Sequence, residues 1–341
     1  MKKTARIAVI FFAAAIIFTL IGGIMVSKAK VNASDIYDIF KDDITIDETS
    51  VNYTKAEPAD MSEMHFVTVS DSAAYQLNEF NSLNIYADYC DIAFVGEAED
   101  SMDSIRIAIE YPEKANGKVS LKTAVDNGTL YIQNEWADKQ TSKTDGVVIT
   151  VNVPEIYKGG YSINGSHSDV ELENLESAMN TSVNLYDSTI DAKTVSAQEV
   201  TVELSGTSGS IEKIKSSDSI NISSVSSDIT VNGSESIYTM ITANSTTLNM
   251  NNIAGGITAE LSMCRFDAKW AGVNGTINVN TAYGRTNLTV PKNSPVALHH
   301  DESYAVFNDD INWSDKGSKN KDSRYFIDTN VKFGIVTLSE K

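Results

Sequence analysis

The stretch Val183-Asn184-Leu185-Tyr186-Asp187-Ser188-Thr189-Ile190-Asp191-Ala192 decides the fold. Two short runs, each with a polar residue between two apolar ones, flank a polar break. That alternation is the period-two signature of a strand with one buried face. The same unit recurs in both directions along the chain. First strands carry Ile163, then Val200 and Val202, Ile220 and Ile222, Ile241 and Ala243, Ile257 and Ala259, and Ile277 and Val279. Second strands begin at Val170, Ile190, Ile211, Ile229, Leu248, Phe266 and Leu288. These starts recur about every twenty residues, within the range of solenoid repeats.

One such unit cannot bury its apolar side chains alone, whereas stacked units bury them in a continuous column. The expected fold is therefore all-β: a β-solenoid, a parallel β-helix-like stack of repeats. Seven rungs at about 4.8 Å each would make a column roughly 30 Å long. The unit at Ile211 departs from the pattern, because Lys213 falls where its neighbours are apolar. A bulge that turns Ile214 inward is predicted there.

The regular repeats occupy residues 160–290. Before them, residues 65–154 contain alternating runs such as Leu83-Asn84-Ile85-Tyr86-Ala87-Asp88, Ile105-Arg106-Ile107-Ala108-Ile109 and Val147 to Val153. The signals Asn116-Gly117, Asp126-Asn127-Gly128 and Asp145-Gly146 between them predict paired strands joined by hairpin turns. Residues 291–341 form an expected C-terminal cap. Its strands at Arg324–Ile327 and Phe333–Leu338 would add the last rung and cover the open edge.

Ile7 to Val26 is an uncharged run of twenty residues, long enough as a helix to cross the roughly 30 Å core of a bilayer. Lys2, Lys3 and Arg6 precede it, so residues 1–30 are expected to be a transmembrane signal-anchor with the remaining chain outside. Ser27-Lys28-Ala29 offers the alternative of a cleaved signal peptide and a secreted body. Residues 31–64 are acidic and irregular, as a spacer would be. Beyond residue 30 there are 22 Lys and Arg against 46 Asp and Glu, a net −24. Such a body repels phosphate backbones, which excludes nucleic acid as a partner.

The run Asn81-Ser82-Leu83-Asn84-Ile85 through Asp91-Ile92-Ala93-Phe94 opens the body, Ser168-Asp169-Val170 and Ser227-Asp228-Ile229 recur within it, and Lys332-Phe333-Gly334-Ile335-Val336 closes it. Together these resemble the bacterial putative-adhesin family, a β-strand-repeat domain of unknown function often attached to an N-terminal membrane segment. The resemblance spans about residues 66–341 and implies no catalytic residues.

Paired carboxylates are the first candidates for catalysis in a β-repeat protein. Asp169 and Asp228 occupy equivalent repeat positions, with Thr189 and Ser210 expected between them. Three rungs would hold the two carboxylates about 14 Å apart, beyond the roughly 5–9.5 Å of paired-carboxylate sugar hydrolysis. Asp187 and Asp191 bracket a turn, where aspartates cap backbone groups. His299-His300-Asp301-Glu302 is expected as a surface turn after Pro295; on a strand, the adjacent imidazoles would point to opposite faces and could not share one metal. His65 and His167 are remote from it in sequence, and no calcium-loop spacing appears. Cys90 and Cys264 could pair in an exported chain or remain two buried thiols. Tyr157, Tyr161, Tyr186, Tyr238 and Tyr283 recur near strand ends, where they would serve the core or cap it, or form an exposed stripe. No catalytic, cofactor-binding or metal residue is assigned. The expectation is a non-catalytic binding or scaffolding protein of the bacterial envelope, with an envelope protein or glycan as partner. An accessory of an envelope-stress or signalling system is the alternative, ahead of a polysaccharide-active enzyme. Oligomeric state stays open.

Overall fold

The computed structural model describes residues 57–58, 64–97, 103–292, 294, 296–303, 305–309 and 325–341. The expected membrane segment and nearly all of the acidic spacer lie outside the described residues. What is described is all-β, with one 3₁₀ turn at Glu113–Ala115 as its only helical element.

The repeats form parallel ladders. On one face Gly160–Ser166 pairs with Asn180–Tyr186, which pairs with the second half of Thr189–Ser205, and so on to Ile277–Ala282. On a second face Asp169–Glu176 pairs with the first half of Thr189–Ser205 and onward to Arg285–Val290. Inward side chains stack in register. Ile163, Val183, Val202, Ile222, Ile241, Ala259 and Val279 make one column inside the first face. All seven are buried, within one apolar cluster that runs from Val69 to Leu338. Burying apolar area between rungs supplies what no single rung could.

A short third side closes the rungs between residues 169 and 272 and explains Ile214. Leu175, Val195, Ile214, Ser234, Ile253 and Trp270 stack there, all buried. The pairing Ala192↔Ile211, Thr194↔Lys213, Val195↔Ile214 keeps one register throughout, so the bulge predicted at Ile211 is absent. Ile214 points inward because it belongs to this third column. The register also shifts two of the expected starts. Gly209, not Ile211, aligns with Ile190 and Ile229, and Thr286, not Leu288, aligns with Phe266. Gly209 has φ +142°, and a Cβ there would lie 1.9 Å from the Ile190 carbonyl oxygen. No apolar side chain can stand at that position, so the repeat loses its sequence marker there.

Both ends of the stack run out of sequence order. Ser82–Asp88 and Asp91–Glu97 already form a parallel rung against Gly160–Ser166 and Asp169–Glu176. Thr129–Trp136 and Val148–Pro154 pair on its outer side. Antiparallel pairing enters only beyond these, through Val119–Asp126, Ser104–Glu110, Val67–Val69 and Ser72–Gln76. Of the three expected hairpin turns only Asn127-Gly128 joins strands that pair with each other, Val119–Asp126 and Thr129–Trp136; the strands flanking Asn116-Gly117 and Asp145-Gly146 take other partners. The Asn127-Gly128 turn has positive φ at both residues, 47° and 76°, as a tight hairpin needs. At the other end Tyr325–Lys332 and Ile335–Glu340 sit directly on the repeats, as a further rung should. They do not cover the edge, however: Val296–Ser303 and Val306–Asp309 lie outside them.

Candidate functional site

The turn from first to second face is built the same way in rung after rung. One residue adopts a left-handed conformation: Tyr89, His167, Asp187, Gly206, Ser226, Ser245, Met263, Tyr283 and Phe333, with φ between 44° and 61°. From Tyr89 to Tyr283 each of these N–H groups donates to a carbonyl of the next rung at 2.8–3.0 Å. From His167 to Met263 the following residue turns inward, and it is small and weakly polar: Ser168, Ser188, Thr207, Ser227, Thr246 and Cys264. Each donates its hydroxyl or thiol hydrogen to the carbonyl two residues earlier, at 2.7–3.2 Å. That bond satisfies a buried polar group locally.

The cysteines belong to this column. Cys90 aligns with Ser168, and Cys264 lies six rungs further on, roughly 29 Å away at strand spacing. Both are free and buried, so the disulfide alternative is overturned. Burial pushes both thiols up, Cys90 far above its ordinary range.

The acidic residues separate as the rungs dictate. Asp169, Thr189, Ser208 and Asp228 follow one another along the second face. Ser208, not Ser210, is thus the third member, and the three-rung separation stands. Asp169 and Asp91 instead share Lys143, at 2.5 and 2.6 Å, and Thr189 donates to Asp169 at 2.7 Å. The bonds from Lys143 and Thr189 hold the Asp169 carboxyl below its usual range. Asp191 lies within a strand rather than a turn, where its carboxylate accepts from Ser210 at 3.5 Å. Asp187 occupies the left-handed corner, 3.8 Å from His167 Nε2, and Asp88 lies 3.8 Å from Nδ1. The imidazole stacks on Tyr89 with ring centres 4.2 Å apart, because both residues occupy the corner column on adjacent rungs.

His299 and His300 stand in strand Val296–Ser303, not in a turn. His299 Nδ1 is 2.9 Å from Asp328, and His300 Nδ1 is 3.0 Å from the Thr329 hydroxyl. His300 also stacks on Phe307. Among the described residues no group of three or more His, Cys, Asp and Glu is arranged to hold a metal. The tyrosines divide. Tyr157 and Tyr161 are buried, while Tyr186 and Tyr283 are half-buried at the corner, where Tyr283 stacks on Phe333. Tyr238 is 40% exposed, beside Ile237 and Met240.

The outer surface of the first face is a series of polar columns. Ser162, Ser182, Thr201 and Asn221 form one, and Asn164, Asn184 and Glu203 begin another. Carboxamides link rungs across it: Asn184 donates to Asn164 at 2.9 Å, and Asn164 donates to Asn84 at 3.1 Å. Gly160 interrupts the neighbouring column between Ser82 and Asn180, leaving a groove of about 470 Å³. Tyr131, Asn84 and Ser162 line one side and Met179 and Gln198 the other. A smaller cavity of about 270 Å³ lies by the third side, over Tyr157 and Tyr161, with Lys158 and Glu176 paired at its mouth at 3.0 Å. The sequence had no marker for either recess, since each arises from strands far apart in the chain.

Among solved structures, the chain resembles a putative adhesin from Bacteroides fragilis NCTC 9343, at 13% identity and a TM-score of 0.42, over 81% of this chain and 97% of that one. It also resembles putative adhesins from Parabacteroides merdae ATCC 43184, at 11% identity, 0.40, 78% and 95%, and from Parabacteroides distasonis ATCC 8503, at 14%, 0.36, 82% and 98%. No curated protein matches the chain. The Toastrack DUF4097 family pattern covers residues 80–330, which take in all the regular repeats, and the chain belongs to that family.

Proposed function

We propose that the protein is a membrane-anchored β-solenoid that binds or scaffolds at the outer side of a bacterial membrane and catalyses no reaction. The observation that carries this is the outer surface of the first face. Ser, Thr and Asn side chains stand there in columns across successive rungs, a preorganised array of donors and acceptors on a rigid support. Support for export comes from the apolar run Ile7–Val26 with its basic N-terminal flank. The acidic body keeps such a surface dispersed and selects against anionic partners.

Protease treatment of intact cells tests the topology: the body is expected to be cut, and protection until the membrane is breached would refute external exposure. In-cell cross-linking through residues on the first face tests the binding role. Capture of a recurring envelope component is expected. A single dominant membrane-protein partner would shift the reading to an accessory of a signalling system, which the anchor and spacer would also serve. Absence of any recurring partner would count against binding.

A further inference from the structure

We infer that the groove over Gly160 is a binding site for an uncharged carbohydrate chain, which rests on the binding role proposed above and names its ligand class. The floor exists because Gly160 has no side chain in a column where it lies between Ser82 and Asn180. None of the residues that line the groove is charged, although residues 65–341 hold 37 Asp and Glu against 20 Lys and Arg, a net −17. Its volume of about 470 Å³ lies within the ~300–1,000 Å³ of small-ligand clefts.

The lining chemistry suits a polyhydroxyl ligand. Tyr131 is half-buried, and its hydroxyl makes no hydrogen bond among the described residues. The Gln198 carboxamide is likewise unengaged among them, and Asn180 donates only a long 3.4 Å bond, to Glu199. Amides and hydroxyls offer both donors and acceptors, which a sugar can match at once. The phenol ring of Tyr131 and the 44%-exposed Met179 give the apolar surface on which the C–H face of a sugar ring rests.

The main alternative occupant, an extended peptide, meets a physical obstacle. It would add to a sheet through main-chain bonds at a free edge. The floor here is made of Ser82–Asp88, Gly160–Ser166 and Asn180–Tyr186, each paired with a strand on both sides. Their backbone groups are already used. An anionic polymer lacks any cation in the groove and faces the acidic body.

The test titrates the full chain with neutral gluco-, manno- and galacto-oligosaccharides, with polygalacturonate and a neutral Gly/Ser/Asn peptide as comparisons. At least one neutral oligosaccharide should bind, with an affinity unchanged between low and high salt. Tyr131→Ala should weaken it roughly tenfold. Met179→Glu at the exposed corner should do the same in a chain whose fold is not at risk, and Thr230→Ala on the second face should leave binding unaltered. Failure of every neutral oligosaccharide, preference for polygalacturonate or the peptide, or full affinity in both groove variants would overturn the assignment. If in-cell cross-linking still captures a partner in that case, the binding role stands and only the carbohydrate assignment falls.

Discussion

Replacing Ser226 should reverse the usual effect of glycine in a β-protein. Ser226 is an exposed corner residue at φ 50°, and its N–H donates to the Asn244 carbonyl at 3.0 Å. A left-handed conformation costs an L-residue about 1–2 kcal/mol that glycine does not incur. Against this, glycine gains about 0.5–1 kcal/mol of freedom in the unfolded chain. Ser226→Gly should therefore stabilise by roughly 0.5–1 kcal/mol, and Ser226→Val should destabilise by about 1–2 kcal/mol. Thr230, four residues on in the same rung, lies in strand Asp228–Val231 with no positive φ. There the glycine variant should lose about 1 kcal/mol. Urea unfolding measures each change, and amide exchange at the Ser226 N–H reports local opening of the corner independently of global cooperativity. Glycine at 226 that destabilises as much as glycine at 230 would refute the conclusion that the corner conformation, rather than the Ser side chain, sets the local energy.

Phe266→Ala should cost about 3–5 kcal/mol, because the ring is fully buried within the second face, whereas Met240→Ala, 45% exposed, should stay within about 0.5 kcal/mol. Cys264→Ser should cost less than about 1 kcal/mol, since Ser227 makes the same backward bond at an equivalent position; calorimetry on the single variant checks it. Native Cys90 and Cys264 should resist thiol reagents and react only after denaturation. Because burial raises both thiols, the unfolded chain loses their protons first, from about 9.0, so unfolding free energy should fall as pH rises above that value. Tyr157 and Tyr161, raised likewise from 10.0, should steepen the fall. Stability that stays flat to pH 11 would contradict this. Lys143→Ala should cost about 1 kcal/mol by leaving Asp91 and Asp169 facing each other, an effect that shrinks in high salt.

The parts of the fold legible in the sequence were those carried by alternation. Val183, Leu185, Ile190 and Ala192 point inward as their pattern requires. The pattern failed where a backbone demand replaced the apolar residue, as at Gly209, or where an inward position tolerates a small hydroxyl, as at Thr286. Ile214 looked irregular only because a two-strand unit leaves no place for a third side. The recesses were illegible for another reason. Tyr131, Ser82, Gly160 and Asn180 are remote in sequence and meet only through rung pairing.

The sequence by itself determined that the described part of the chain is all-β, that its repeats stack, and that the chain beyond residue 30 is strongly acidic. Those conclusions follow from local periodicity and from charge, both of which are properties of the chain before it folds. Tertiary structure alone decided the order of rungs at both ends. Strands 82–97 sit inside 129–154, and strands 325–340 sit inside 296–309. Every rung presents nearly the same inward apolar face, so the pattern says that a strand pair joins the column without saying where. Its place depends on cross-rung packing and backbone pairing, which exist only once the column has formed.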